Sequence, residues 1–278
     1  MNDRAIKEFS VQRYTDPNAD TKYEIAYISA GRANSEGRYP HIVWAHGWGQ
    51  SHAAFLPLMQ PFETQAAHTL LDLPGFGASP VPGTVWGTAD YADAAASFIR
   101  AVIGGPVIWV GHSFGCRVGL QLAARHPDLV QGLFLIAAAG LKPKRPIFKT
   151  AYIKARIFLF KTLKRLIPLG LNEQALYRFF GSPDYRNASA LRPIFVKVVN
   201  EDLTDTARCV SCPTTLIYGT LDTETPLEIG QRLNRLIQGS ELVALDGLDH
   251  YSILGEGRHR VAPAFKSFLE KLGQIHAR

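Results

Sequence analysis

Residues 106–125 of this 278-residue chain read PVIWVGHSFGCRVGLQLAAR, and this stretch decides the fold. A short apolar run, Pro106–Val110, leads directly into Gly111-His112-Ser113-Phe114-Gly115, and the residues from Phe114 to Arg125 have a helical composition. A Gly-x-Ser-x-Gly turn between a strand and a helix strains the serine backbone and exposes its hydroxyl. The pattern therefore predicts a buried strand, a tight turn and a helix, with Ser113 as a nucleophile; the alternative is an ordinary Gly/Ser turn.

Short apolar runs of the same kind recur along the chain and alternate with helical segments. Wholly apolar strands are buried on both faces, which is typical of a mostly parallel sheet covered by helices. The sequence thus predicts an α/β fold with eight strands. The helical segments include Thr88–Ile103, which Thr88 can cap, and Arg258–Leu272. The strand candidates are Lys7–Tyr14, Lys22–Ser29, His41–Ala45, His68–Leu73, Pro106–Val110, Gly132–Ala138, Thr214–Tyr218 and Glu241–Leu245.

The alternation fails between Gly140 and about Thr206, where the chain is helix-rich, basic and aromatic. We predict that residues 140–205 form a helical insertion in a core domain made of residues 1–139 and 206–278. The net charge of the chain is +6, but residues 141–200 alone contain 13 Lys/Arg and 2 Asp/Glu, a net charge of +11. The basic character of the protein therefore belongs to this insertion.

Composition excludes several classes of protein. Hydrophobic residues make up 46% of the chain and charged residues 19%, which suits a sizeable core. We find no apolar run near 18 residues and no apolar signal segment at the N-terminus, so we expect no transmembrane segment. Three cysteines, with one C-x-x-C pair and no second pair, argue against disulfides and zinc and for a cytoplasmic location. No motif that reads nucleic acid accompanies the basic residues.

A serine nucleophile needs a base and a group that orients the base. His250 follows the last strand candidate, and Asp222 follows the strand candidate before it. Parallel strands end at the same edge of a sheet, so both side chains should lie near Ser113. Asp249 and Glu224 are rivals of Asp222 as the orienting carboxylate. The metal-free triad predicted here is Ser113, Asp222 and His250, in that chain order.

Two further segments carry a resemblance to a known family. His46-Gly47-Trp48-Gly49 resembles an oxyanion loop, and the turn Asp72–Gly77 resembles a structural turn after the fourth strand. With the triad, the chain resembles the α/β-hydrolase superfamily over nearly its whole length, specifically the branch with a helical cap domain. Cys116 departs from the pattern, since a third glycine is frequent there, but it is small enough for the turn to survive.

The resemblance implies the remaining site residues and the chemistry. The backbone N–H groups of Trp48 and Phe114 would form the oxyanion hole. Ser113 would attack an ester carbonyl and water would release the acyl group, with no metal or organic cofactor. Relatives that use aspartate as nucleophile, namely haloalkane dehalogenases and epoxide hydrolases, are disfavoured. The expected substrate contacts are His46, Gly47, Trp48, Phe114 and Tyr251.

We therefore predict a carboxylic-ester hydrolase acting on a small-molecule acyl ester. Two alternatives remain: a C–C bond or amide/lactone hydrolase with the same triad, and a ligand receptor of the same fold without catalysis.

The basic insertion adds a second question about partners. An apolar face runs along its first helix, with basic residues mainly on the opposite side. This pattern predicts either a solvated basic face over a helix packed on the core, or a docking surface for an acidic partner or an anionic lipid surface. The apolar face comprises Phe148, Tyr152, Ala155, Leu159, Leu163 and Leu166, and the basic residues are Lys149, Lys154, Arg156, Lys161, Lys164 and Arg165.

Overall fold

The computed structural model describes residues 10–19, 22–31, 40–142, 144, 147–169, 172–180 and 182–276. The first three residues of the predicted strand Lys7–Tyr14 lie outside this range. So do the side chains of Lys149 and Lys154 in the basic insertion.

Eight strands form one sheet in the order β1-β2-β4-β3-β5-β6-β7-β8. The two pairings made by β2 are antiparallel, and those from β4 through β8 are parallel. The predicted α/β fold with a mostly parallel eight-stranded sheet is confirmed. The strands are β1 Gln12–Thr15, β2 Glu24–Gly31, β3 His41–Ala45, β4 Ala67–Asp72, β5 Val107–His112, β6 Val130–Ile136, β7 Thr214–Gly219 and β8 Glu241–Leu245.

The central strands are buried at almost every position because both faces of the sheet are covered. Alternate residues of a strand point to opposite faces. In β5, Val107 and Trp109 join one core cluster, while Ile108 and Val110 join the cluster on the other face. A continuous apolar run is thus what a doubly covered strand requires.

Helices cover both faces of the sheet and connect its strands. The helix α2 differs in one detail from the prediction, because Gly87 is the N-cap and Thr88 is the first helical residue. The Asp90 carboxylate accepts the Gly87 N–H at 2.6 Å. The side chain that caps the helix is therefore that of Asp90 in the first turn, and not that of Thr88. The helices are α1 Leu56–Met59, α2 Thr88–Phe98, α3 Phe114–Arg125, α4 Ile147–Lys164, α5 Glu173–Phe180, α6 Pro183–Asn187, α7 Arg192–Asn200, α8 Thr204–Arg208, α9 Leu227–Leu236 and α10 Arg258–His276.

The segment between β6 and β7 is helical, and it contains α4 to α8 among the described residues. The predicted apolar face of α4 does not pack on the core: Phe148 is 77% exposed and Tyr152 61%. Instead, Phe160 turns inward and its ring contacts those of Tyr177 and Phe180. The periodicity identified a helix, but α4 packs against α5 and not against the sheet, so its inward face differs from the predicted one. No helix in the described part of the chain is long and apolar enough to span a membrane.

Candidate active site

Ser113 lies in the turn between β5 and α3 with a backbone φ of 48° and ψ of −101°. Positive φ is costly for a residue with a Cβ atom, so the surrounding contacts must impose it. The Ser113 N–H donates to the carbonyl oxygen of Ile136 at 3.0 Å. A Cβ atom on Gly115 would lie 2.0 Å from the carbonyl oxygen of Ala45, and one on Gly111 would lie 2.7 Å from the Gly115 backbone. Both glycines of the motif are therefore required by close backbone contacts.

Asp222 and His250 are joined by a hydrogen bond of 2.8 Å between the Oδ2 and Nδ1 atoms. Asp222 follows β7 and His250 follows β8, so adjacent parallel strands deliver the two side chains to one edge of the sheet. Both residues are buried, which makes the pair less screened by solvent. The arrangement leaves Nε2 of His250 as the atom available to a third group.

Further hydrogen bonds keep the Asp222 carboxyl ionised. Burial alone would raise its pKa, but the hydrogen bonds from His250 and Thr225 outweigh burial and hold the pKa below the usual value. Thr225 contributes both its N–H, at 2.8 Å from Oδ1, and its hydroxyl, at 2.8 Å from Oδ2. Thr225 was not predicted from the sequence, although its position three residues after an aspartate is typical of a side-chain turn.

The two rival carboxylates have other positions. Asp249 is exposed and accepts the N–H groups of Tyr251 and Ser252, so it orders its own turn. Glu224 lines the same pocket as His250, and its N–H donates to Asp222 at 2.9 Å. Asp222 is therefore the carboxylate that the structure joins to His250.

Ser113 and His250 line one pocket of about 240 Å³. Among the described contacts there is no hydrogen bond between the Ser113 hydroxyl and His250, so the two side chains share the pocket without being bonded. Such hydrogen bonds are often long in unliganded sites and tighten when substrate binds. The pocket is lined by Gly47, Trp48, Gln50, His112, Ser113, Phe114, Arg117, Ala139, Ser182, Asp184, Phe195, Val198, Val199, Glu224, Thr225, His250 and Tyr251.

The two residues expected to supply oxyanion donors both line this pocket. Phe114 is the first residue of α3, where a backbone N–H has no acceptor within the helix. Trp48 belongs to the loop after β3, and its ring packs against Phe76, Phe114 and Phe195 at centroid distances of 4.9 to 5.4 Å. The Trp48 indole therefore shapes the wall of the pocket.

Of the expected substrate contacts, Gly47, Trp48, Phe114 and Tyr251 line the pocket, but His46 does not. His46 is fully buried, and burial lowers its pKa to about 4. Its Nε2 accepts the Leu73 N–H at 3.0 Å, and its Nδ1 donates to the Gly47 carbonyl oxygen at 2.7 Å. The neutral ring has one donor and one acceptor and uses both inside the fold, so His46 braces the loop.

Four further residues that line the pocket were not predicted from the sequence: His112, Gln50, Arg117 and Asp184. His112 was visible as the variable residue of the Gly-x-Ser-x-Gly motif, and Arg117 as the residue one helical turn after Ser113. Asp184 and Gln50 carried no signal, because only tertiary packing brings α6 and the loop after β3 to this place. Within the described residues, no group of three or more His, Cys, Asp or Glu side chains could hold a metal ion.

Comparison with known proteins identifies the family. The sequence profile described as "Alpha/beta hydrolase family" matches residues 42–264. The pimeloyl-[acyl-carrier protein] methyl ester esterase of Chromobacterium violaceum is 29% identical over 237 residues, which cover 78% of this chain and 90% of that protein. The enzyme of the same name from Neisseria meningitidis serogroup A is 29% identical over 248 residues, covering 82% and 76%.

Solved structures agree at the level of the fold. A hydrolase from Pseudomonas aeruginosa PA01 superposes with a TM-score of 0.70 at 22% identity, covering 95% of this chain and 99% of that one. The sheet, the strained serine between β5 and α3 and the residues at the sheet edge are features of the serine hydrolase class. The chain belongs to the α/β hydrolase family. The names of its relatives confirm the predicted class, a carboxylic-ester hydrolase.

Proposed function

We propose that this chain hydrolyses carboxylic esters through an acyl-enzyme on Ser113, with His250 as general base and Asp222 as the orienting carboxylate. The Ser113 hydroxyl attacks the ester carbonyl carbon while His250 Nε2 takes its proton. The oxyanion of the tetrahedral intermediate accepts hydrogen bonds from the backbone N–H groups of Phe114 and Trp48. His250 then returns the proton to the leaving alcohol, and water, activated by His250, releases the acid. No step uses a metal ion or an organic cofactor.

The observation that carries this proposal is that His250, which is hydrogen-bonded to the buried Asp222, lines the same pocket as a serine held at positive φ. An ionised Asp222 fixes the proton of His250 on Nδ1 and so leaves the lone pair of Nε2 free for the serine. Ordinary folding has no need for this combination of buried charge and strained serine, since both features cost stability.

The test is pre-steady-state hydrolysis of a chromogenic short-chain ester. We expect a burst of chromophore release close to one equivalent per enzyme, or, if deacylation is fast, linear turnover that is lost in Ser113→Ala. Hydrolysis by Ser113→Ala at the rate of the unmodified protein would contradict the proposal. A C–C or amide hydrolase with the same triad would release little chromophore while still forming an adduct with a reactive acylating reagent.

We also propose that residues 140–205 act as a cap subdomain that extends the binding site. A cavity of about 640 Å³ lies in this segment, and it shares Ser182, Phe195 and Val199 with the pocket of Ser113. Its wall combines rings, such as Phe160 and Phe180, with basic side chains. A long substrate arm could therefore run from the serine to the basic surface of the cap.

A second candidate function concerns the partner that carries the ester. The relatives named above act on an ester attached to an acyl-carrier protein, and exposed basic side chains such as Lys161, Lys164 and Arg165 favour an acidic carrier here. Because salt screens exposed charges, raising the ionic strength should lower kcat/KM for a carrier-bound ester and hardly affect a small neutral ester. An equal response of both substrates would exclude the carrier, and activation by anionic lipid vesicles instead would favour a lipid surface.

A further inference from the structure

Arg117 is a buried cation on the wall of the pocket that contains Ser113. It lies four residues after Ser113, one turn further along α3, and residues four apart share one face of a helix. The residue is only 9% exposed, yet it lines the pocket together with Ala139 and Val198. Tyr251 lines the same pocket and is 59% exposed. Arg117 therefore marks the inner end of the pocket and Tyr251 its mouth.

The guanidinium group of Arg117 has little to bind within the described part of the chain. Its one hydrogen bond is long, 3.4 Å from Nη1 to the backbone carbonyl oxygen of Glu201. The carboxylate of Glu201 is committed to the N–H and hydroxyl of Thr88. That of Asp202 accepts both donors of Thr204. Among the described contacts neither carboxylate forms an ion pair or a hydrogen bond with Arg117, although the nearby charges of Glu201 and Asp202 favour its charged form.

A buried charge without a partner is costly, so buried arginines are normally paired with a carboxylate or phosphate. A guanidinium carries five N–H donors in a rigid planar arrangement that matches the two oxygens of a carboxylate. With one long hydrogen bond in use, Arg117 keeps donors available, and the residue lines the pocket. The missing acceptor is therefore expected to come from the ligand.

Two acidic residues, Asp184 and Glu224, also line the pocket, but they belong to another part of it. Burial raises the pKa of Asp184, and the nearby His250 opposes part of that rise. Both acids interact with Tyr251 at the mouth. The charges that Arg117 meets are those of Glu201 and Asp202. Arg117 is thus the one Lys or Arg among the residues that line this pocket, and Asp184 and Glu224 interact with Tyr251 at its mouth.

We propose that Arg117 binds a carboxylate at the far end of the acyl group, which makes half-esters of short dicarboxylic acids the preferred substrate class. This inference rests on the proposed ester hydrolysis at Ser113. One helical turn separates the two residues, about 6 Å along α3, so the carboxylate should be a few carbons away from the ester carbonyl.

The test compares two esters of equal shape and different charge. Monomethyl glutarate carries the carboxylate, and the methyl ester of glutaramic acid replaces it by a neutral amide. We expect kcat/KM of the unmodified protein to favour the half-ester by about tenfold or more, as charge-assisted hydrogen bonds do. In Arg117→Met this preference should fall to about one. Arg125→Met is the matched control, since Arg125 lies on the outer side of the same helix and pairs with Asp93.

Two outcomes would overturn the proposal: no preference in the unmodified protein, or an equal loss of both substrates in Arg117→Met, as expected if Arg117 only anchors the end of α7. Arg117→Lys keeps the charge without the planar fork and should retain part of the preference. Binding of glutarate to Ser113→Ala, measured by calorimetry, separates this inference from ester hydrolysis. Tight binding that Arg117→Met abolishes would support the role of Arg117 even if no ester were cleaved, and absent binding would count against it.

Discussion

The Nε2 atom of His112 lies 3.0 Å from the backbone carbonyl oxygen of His250, so the residue before Ser113 holds the loop that carries the proposed base. Burial, reinforced by the nearby His250, lowers the pKa of His112 to about 3, and the ring is therefore neutral with a single proton. Because Nε2 faces a carbonyl oxygen, that proton lies on Nε2 and is donated to His250. The Gln50 Oε1 atom lies 3.1 Å from the unprotonated Nδ1 of His112 and accepts the N–H of Gly47, so these two acceptors are in contact without a hydrogen bond.

His112 thus connects the turn of Ser113 to the loop of His250, and its removal should affect the rate more than binding. We expect His112→Ala to lower kcat by about one to two orders of magnitude with little change in KM, because His250 is no longer held against the nucleophile. The orphaned carbonyl oxygen should also cost about 1–3 kcal/mol of stability. Steady-state kinetics and thermal unfolding measure both effects, with His126→Ala on the outer surface as control. If stability falls and kcat does not change, the role of His112 is structural only.

Substituting each carboxylate separately distinguishes Asp222 from its rival Asp249. Asp222→Asn should lower kcat by about 10³- to 10⁴-fold, since an amide favours the wrong tautomer of His250. Asp249→Asn should stay within about threefold, because Asp249 only orders an exposed turn. Initial rates with one small ester are sufficient. The reverse ranking of the two variants would reassign the orienting carboxylate.

The turn at Ser113 depends on the absence of a side chain at Gly115. Gly115→Ala places a methyl group 2.0 Å from the Ala45 carbonyl oxygen, so the oxyanion loop and α3 must move apart. We expect a loss of about 3 kcal/mol in the free energy of unfolding. Gly105→Ala is the control, because nothing lies within 4 Å of the added methyl group, and it should change stability by about 0.5 kcal/mol at most. Denaturant unfolding compares them, and equal stabilities would contradict the close contact.

Acid should destabilise the protein partly through Asp72. Burial alone would raise the pKa of this carboxyl, but hydrogen bonds from His52 and Ala78 hold it below the usual value. A lowered pKa in the folded state gives stability that is fully present above the unfolded pKa of about 4 and is lost as the pH falls through the folded pKa. Thermal unfolding from pH 6 to pH 3 should show this loss. In Asp72→Asn the protein should be less stable at pH 6, and its decline toward pH 3 should be shallower; an equally steep decline would assign the acid sensitivity to other groups.

The sequence predicted the sheet well because both faces of each central strand are buried. The bounds of β3 and β8 match the prediction, while β5 continues two residues further, through His112. A Gly-His pair resembles the start of a turn, but His112 still pairs with Ile136 of β6. Strand ends are set by neighbouring strands, which a local pattern does not contain.

Residue roles that depend on packing between distant segments were harder to predict from the sequence. The order of Ser113, Asp222 and His250 could be predicted because each follows a strand that ends at the same edge. Arg117 is positioned by a contact with the residue that directly follows α7, and Thr225 by its hydrogen bonds to the Asp222 carboxylate. His46 looked like a substrate contact because the loop motif contains it, yet its two nitrogens are used by Leu73 and Gly47.

The central claim, that Ser113 is a nucleophile activated by His250, is tested most directly by covalent labelling with a fluorophosphonate and location of the adduct by peptide mass spectrometry. We expect one label per chain on Ser113 and a labelling rate at least about 100-fold lower in His250→Ala. Ser182 is the internal comparison, since it lines the same pocket and no described contact joins its hydroxyl to a histidine. A label on Ser182, or an undiminished rate on Ser113 in His250→Ala, would contradict the account.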